Sequence, residues 1–239
     1  MEVHHKPKPW HGWREFLKEY AIVVVGVLTA LAAEQVAEKL HERTVAADAR
    51  AAIRGELALN LAYLRSRAAT QGCLDKRLSE IQTILDHVHP DGSYERPSWV
   101  GRPQFWSLET VRWDAAAQAG RAALIPAAEV ALYSKIYTQL RIVIAEMATE
   151  QSDWARLRSL QSQSRLPSQA VYDLNLLLGD ARYRAWRIAL VTRQELADAR
   201  MTRLEDMANP NPVPQSICLP MTTSAAEGRA SFALGEIVN

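Results

Sequence analysis

The chain has 239 residues, 48% apolar and 23% charged, and its 28 basic and 27 acidic side chains leave a net charge of +1. That length fits one or two domains, and the apolar share supplies a sizeable core. The near-neutral balance gives no reason to expect a nucleic acid or another polyanion as partner.

Residues 1–15 hold Pro7 and Pro9 with His4, His5 and His11, and read as an irregular cytoplasmic leader lying at a membrane surface. Three histidines on such a leader make a weak metal site, and a solvated polar segment accounts for them. The run from Tyr20 to Ala33 then carries no charge. As a helix it covers about 21 Å, against a hydrocarbon core about 30 Å thick. Phe16 and Leu17 lengthen it on one side, Val36 and Ala37 on the other. Lys18 can snorkel towards headgroups, and Trp10, Trp13 and Tyr20 are the residue types found at the membrane–water boundary. The pattern predicts a transmembrane helix over 16–37. Two other readings stand beside it. Ala30-Leu31-Ala32 has the small-x-small form of a signal cleavage site, so residues 1–32 form a removable signal in that reading. A run this short also fits the core helix of a soluble protein.

Within the span, Gly26, Ala30 and Glu34 lie four residues apart, with Ala33 beside them. Small residues at that spacing let membrane helices approach closely. One reading is a homo-oligomeric span with the Glu34 carboxylate at its mouth. The other is a glutamate in the headgroup zone that packs against nothing. Lys6, Lys8, Arg14 and Lys18 precede the span, and only Lys39 and Arg43 follow closely. This excess places the N-terminus in the cytoplasm and the body on the periplasmic side of the inner membrane.

The segment Phe16–Gln35, FLKEYAIVVVGVLTALAAEQ, resembles the N-terminus of a group of uncharacterised bacterial single-pass membrane proteins. The resemblance covers residues 13–60. It implies an N-terminal anchor followed by an extracytoplasmic helical domain. It implies no activity and no catalytic residues.

Residues 46–88 keep a helical apolar period through Ile53, Leu57, Leu61, Leu64, Ala68, Leu78, Ile81, Leu85 and Val88, with a kink expected near Gly72. His89-Pro90-Asp91-Gly92 is a turn signal that opens a loop over 89–106. Trp99, Phe105 and Trp106 anchor that loop or lid a pocket. Ser107 suits the N-cap of a short helix through Leu124. Pro126 suits the first turn of a long helix to about Gln163, whose stripe includes Val130, Tyr133, Tyr137, Leu140, Met147, Trp154 and Leu157. A last long helix spans Gln169 to Met207, and the prolines of 209–214 end it. No strand pattern competes. The expectation is an all-α chain whose N-terminal transmembrane helix continues into an antiparallel bundle of long helices over 38–208, with a partly ordered tail over 209–239.

Chemical motifs are scarce. His41-Glu42 begins like HExxH, but Val45 stands where the second histidine belongs. Asp86, His87, His89 and Asp91 gather at a helix end and fit a solvated terminus as well as a metal site. The arginines between Arg182 and Arg203 are interleaved with acids and read as an ion-paired face. No catalytic, cofactor-binding or metal residues are expected, and no enzyme. Cys73 and Cys218 do not form CxxC. They pair across the bundle if the body is extracytoplasmic; otherwise they are unrelated thiols. The expected role is a membrane-anchored binding or scaffold protein that assembles through its span with itself or with another envelope protein. The alternative is an extracytoplasmic ligand sensor, its site lined by Trp99, Trp106, Trp113 and Trp154, or an accessory subunit of a membrane complex.

Overall fold

The computed structural model describes residues 12–201 and 216–236. The leader histidines, the last helix beyond Met201 and the proline-rich stretch 209–214 lie outside the described residues. Among the described residues, six α-helices occur in order: α1 (Trp13–Ala69), α2 (Gln71–Asp86), α3 (Val111–Gln118), α4 (Ala127–Leu157), α5 (Ser168–Met201) and α6 (Ala225–Glu236). Short 3-10 turns occupy Arg121–Leu124, Arg158–Gln161 and Ser216–Cys218, and no strand occurs among the described residues. The fold is all-α. The chain divides into two compact units, Met1–Asp48 and Ala49–Asn239.

In the first unit, the stretch of α1 from Tyr20 to Ala33 is apolar around its whole circumference and bare. Ile22, Val23, Val25, Leu28 and Leu31 are all exposed. A helix of a soluble protein buries one stripe and shows water the opposite face; here no face is polar between Tyr20 and Ala33. The Thr29 hydroxyl donates to the Val25 carbonyl at 2.8 Å, which satisfies it inside its own helix. Trp13, Phe16 and Tyr20 follow one another along the helix with ring centroids 5.8 and 6.3 Å apart.

The second unit begins with the remainder of α1, where Ile53, Leu57, Leu61 and Leu64 are all buried at the expected helical spacing. The break before α2 falls at Thr70, two residues ahead of Gly72. Both the backbone N–H and the hydroxyl of Thr70 donate to the Arg67 carbonyl, at 3.2 and 3.0 Å, and this tight turn ends the helix.

Cross-helix contacts give the register. Arg50 meets Glu129, Tyr137 meets Glu56, and Arg67 meets Glu150. Partner numbers rise together, so α1 and α4 run parallel. Lys135 pairs with Asp198 and Arg184 with Asp153, so α5 runs antiparallel to α4. It also runs antiparallel to α2, through Gln82 to Asn175 and Arg182 to the Leu78 carbonyl. The long return connection over residues 87–126 makes the parallel pair possible. The core has two parts. One gathers α1, α3 and α4 around Tyr133, Ile136, Tyr137 and Leu140. The other gathers α2, the end of α4 and the first half of α5 around Leu78, Ile81, Trp154 and Leu178.

α3 begins at Val111, four residues after Ser107. Its cap comes from another helix: the Glu56 carboxylate accepts from the N–H groups of Arg112 (2.8 Å) and Trp113 (3.4 Å). An anion at a helix N-terminus meets both unsatisfied donors and the positive end of the dipole. Asn60 holds the preceding backbone through both groups of Glu109, accepting from its N–H at 3.0 Å and donating to its carbonyl at 2.7 Å. In the tail, Ser224 and Glu227 form a reciprocal capping box that starts α6.

Candidate functional site

Three features stand out as places where this chain meets something else or holds itself together for a purpose. The first is the apolar stretch of α1. It is long and apolar enough to cross a membrane, and none of that window is buried. Gly26, Ala30, Ala33 and Glu34 are exposed on it, and a Cβ built at Gly26 meets nothing within 4 Å.

The second is a latch that fastens the segment after residue 215. Cys73 in α2 is bonded to Cys218, with Cα atoms 5.0 Å apart. Around this bond, the Trp99 indole N–H donates to the Ser216 carbonyl at 2.9 Å, and its backbone N–H to the Met221 carbonyl at 2.9 Å. The Arg77 guanidinium, nearly buried, donates to the carbonyls of Val100 and Leu219 and pairs with Glu80 at 2.8 Å. Burial lowers the Arg77 pKa from its ordinary value, and Glu80 pulls it back up. Gly101 sits in the left-handed region at φ 71°, and a Cβ there would meet the Ser216 carbonyl oxygen at 2.9 Å. Only glycine suits both the turn and the close approach of the tail.

The third is the outer face of α5. Tyr172, Leu176, Tyr183 and Trp186 are each more than half exposed. At about 100° per residue they fall within about 40° of one line along the helix, with Gly179 between them. The rings of Tyr183 and Trp186 lie 5.8 Å apart, and a Cβ at Gly179 would meet nothing within 4 Å.

The four tryptophans singled out from the sequence do not meet around a cavity. Trp106 stacks on Tyr63 at 4.7 Å, and Trp113 stacks on Tyr137 at 5.4 Å. Trp154 is wholly buried in the second part of the core, and Trp99 belongs to the latch. They act as packing for the loop and the bundle. Asp86, His87, His89 and Asp91 do not converge either: a ring nitrogen of His87 bonds the Thr83 carbonyl, and Asp91 accepts from Ser93. Among the described residues, no group of three His, Cys, Asp or Glu side chains is placed to hold a metal ion. The arginine-rich stretch of α5 is ion-paired where it faces α4, with Arg184 on Asp153 and Glu146 and Arg187 on Glu146.

One buried group has no counterpart in the sequence reading. Glu195 on α5 is fully buried, and neither carboxylate oxygen has a hydrogen-bond partner. Thr192, one turn earlier on the same face, also carries a partnerless hydroxyl. Burial, with a smaller push from Asp198, raises the Glu195 carboxyl to about 8. The folded state therefore favours the protonated acid. Its contribution is fully present below the ordinary carboxyl range and is lost as pH climbs towards about 8. Glu195→Gln is expected to stabilise the protein by about 3 kcal/mol more at pH 8 than at pH 5, since the amide removes the ionisation while the cost of its buried polar atoms is the same at both pH values. Urea unfolding at the two pH values reads this directly; an equal shift at both would mean that Glu195 does not titrate in that range.

Comparison of the chain with protein-family models, with curated proteins and with solved structures finds no match.

Proposed function

We propose that this protein is a single-pass, membrane-anchored helical module that binds other proteins, assembling with itself or with another envelope protein. The outer face of α5 carries the reading. A water-facing helix surface does not ordinarily line up two tyrosines, a leucine and a tryptophan, and tyrosine and tryptophan are the residues that interfaces concentrate. The unburied apolar stretch of α1 supports the anchor, and the small-residue face of Gly26, Ala30 and Ala33 supports a second contact inside the bilayer. The Cys73–Cys218 bond supports a body outside the cytoplasm, where disulfides persist. The resemblance of residues 16–35 to bacterial single-pass proteins agrees with this topology. A ligand sensor lined by tryptophans has less support, because Trp106, Trp113 and Trp154 are committed to the core.

The full chain, extracted in mild detergent, is expected to give an intact mass above that of one chain. Ala30→Cys, the only free thiol beside the Cys73–Cys218 bond, is expected to crosslink in native membranes. Tyr183→Ser with Trp186→Ser should leave the helix content unchanged and lower the assembly mass. A single-chain mass in detergent with no Ala30→Cys dimer in membranes would refute the assembly. Full-length protein in the soluble fraction after lysis would refute the anchor.

A further inference from the structure

The Cys73–Cys218 bond lies at the surface, with Cys218 exposed and Cys73 half-buried. A groove of about 330 Å³ opens over the two sulfurs, walled by Lys76, Arg77, Leu219 and Pro220. Gly72 also lines it; the residue is exposed, has no side chain, and a Cβ built there meets nothing within 4 Å. A thiol in solvent therefore has a path to the Cys218 sulfur while the bundle stays folded, and thiol–disulfide exchange depends on such access. The two sulfurs differ in their surroundings. Cys73 sits in the first turn of α2, which carries no acid, and Lys76 and Arg77 follow it by three and four residues on the same helix face. Glu80 pairs with both cations, at 3.8 and 2.8 Å, and moderates their pull. Cationic neighbours favour a thiolate, so Cys73 is the better leaving group and Cys218 is the sulfur within reach.

We propose that this bond is a redox-controlled catch, opened in the folded protein by a dithiol. One thiolate of the dithiol attacks the Cys218 sulfur. The bond between the two cysteines breaks, and its electron pair leaves on the Cys73 sulfur, which takes up a proton. The second thiolate of the dithiol then attacks its own partner sulfur in the mixed disulfide and displaces Cys218, which is protonated in turn. The dithiol ends as a disulfide and the protein as two thiols, so two electrons and two protons have passed to the protein.

Opening frees the segment from Ser216 to Glu236 from its tie to α2. In the closed form the backbone of Gly228 lies so near Trp99 that a Cβ there would be 2.4 Å from the indole carbons. The Trp99 indole N–H donates to the Ser216 carbonyl, and the Arg77 guanidinium donates to the Leu219 carbonyl. Release removes these contacts together, so the open and closed forms present different surfaces beside α2. The catch stands independently of how the protein assembles.

The test uses the full chain in phosphatidylcholine nanodiscs at neutral pH, without urea, with dithiothreitol as the dithiol. Complete reduction is expected, at a rate proportional to the dithiothreitol concentration. Hydrogen exchange should show lost protection at the Trp99 amide and over 216–236, with α4 and α5 unchanged. Glutathione serves as a monothiol probe that stops at the mixed disulfide: after quenching with iodoacetamide, peptide mapping should find glutathione on Cys218 and the alkyl group on Cys73. Gly72→Leu, which narrows the approach, and Lys76→Gln, which weakens the leaving thiolate, are each expected to slow reduction about threefold or more. Both positions are exposed, so the oxidised variants should unfold in urea as the parent does. A rate that is independent of dithiothreitol and follows urea unfolding would mean that the bond opens only when the bundle does, and overturns the proposal. Glutathione on Cys73, reduction that leaves 216–236 protected, or a rate that neither variant lowers overturns it as well.

Discussion

Replacing Cys73 and Cys218 with serine is expected to lower the unfolding free energy by about 3–5 kcal/mol. The two cysteines are 145 residues apart. In the chain-entropy account a loop that long, left open in the unfolded state, is worth about 5 kcal/mol. Native packing around the bond sets how that loss is expressed. Ile217 is buried in the second part of the core, but the rest of the tail is held largely by single hydrogen bonds, such as those from Trp99 to Ser216 and Met221. Each of these contributes on the order of 1 kcal/mol net. Without the covalent tie the tail competes poorly with its own conformational entropy, so it is expected to detach before the bundle melts. Limited proteolysis with and without reductant should show early cleavage after residue 215 in the reduced protein, while α2, α4 and α5 stay protected. Urea unfolding should show a lower midpoint. An unchanged midpoint together with an unchanged cleavage pattern would mean that the latch holds without its sulfur bridge.

Helical periodicity made much of this fold legible. The stripe Ile53, Leu57, Leu61, Leu64 on α1 and the stripe Tyr133, Tyr137, Leu140, Met147, Trp154 on α4 are core in the structure, as their spacing required. Pro126 stands directly before α4. What escaped was decided by partners far along the chain. The start of α3 depends on Glu56 and Asn60, which no local signal around Ser107 reveals. The break before α2 depends on the hydroxyl of Thr70, while Gly72 draws the eye and does nothing visible. The parallel course of α1 and α4 depends on the path of the connection over 87–126. One signal was present and passed over: Ser224 and Glu227 have capping-box spacing within a tail read as partly ordered. The α5 face went unread. Tyr172, Leu176, Tyr183 and Trp186 run along the side opposite Leu174, Leu178 and Ala181, so a helix that is apolar on two sides looked like one with a single core stripe.

Charged residues on a helical pattern read by default as solvated surface, and Arg67 is where that default fails most. Arg67→Ala is expected to cost about 3–5 kcal/mol. Arg67 and Glu150 form a salt bridge at 2.9 Å with side chains 2% and 0% exposed. The Arg67 side chain also donates to Gln71 at 3.1 Å, and its carbonyl receives the Thr70 turn. One residue thus joins the end of α1 to the start of α2 and both to α4. Burial pushes the Glu150 carboxyl above its ordinary value, and Arg67 is the main group pulling it back. Alanine removes that pull and leaves a buried acid with only the smaller pull of Arg184. The acid then has two courses, to stay ionised at a desolvation cost or to take up a proton. The second is cheaper at low pH, so the loss of stability should be smaller at pH 5 than at pH 8. Replacing both partners, with Arg67→Met and Glu150→Leu, removes the charge problem and should restore most of the loss, as buried pairs exchanged for apolar groups commonly do. Urea unfolding of the three variants at the two pH values separates these terms. If the double variant is as unstable as Arg67→Ala, the damage is lost packing at the α1–α2 junction and not an orphaned charge. If it recovers, the loss in Arg67→Ala came from the orphaned charge, and the pair adds little net stability over apolar groups of similar size.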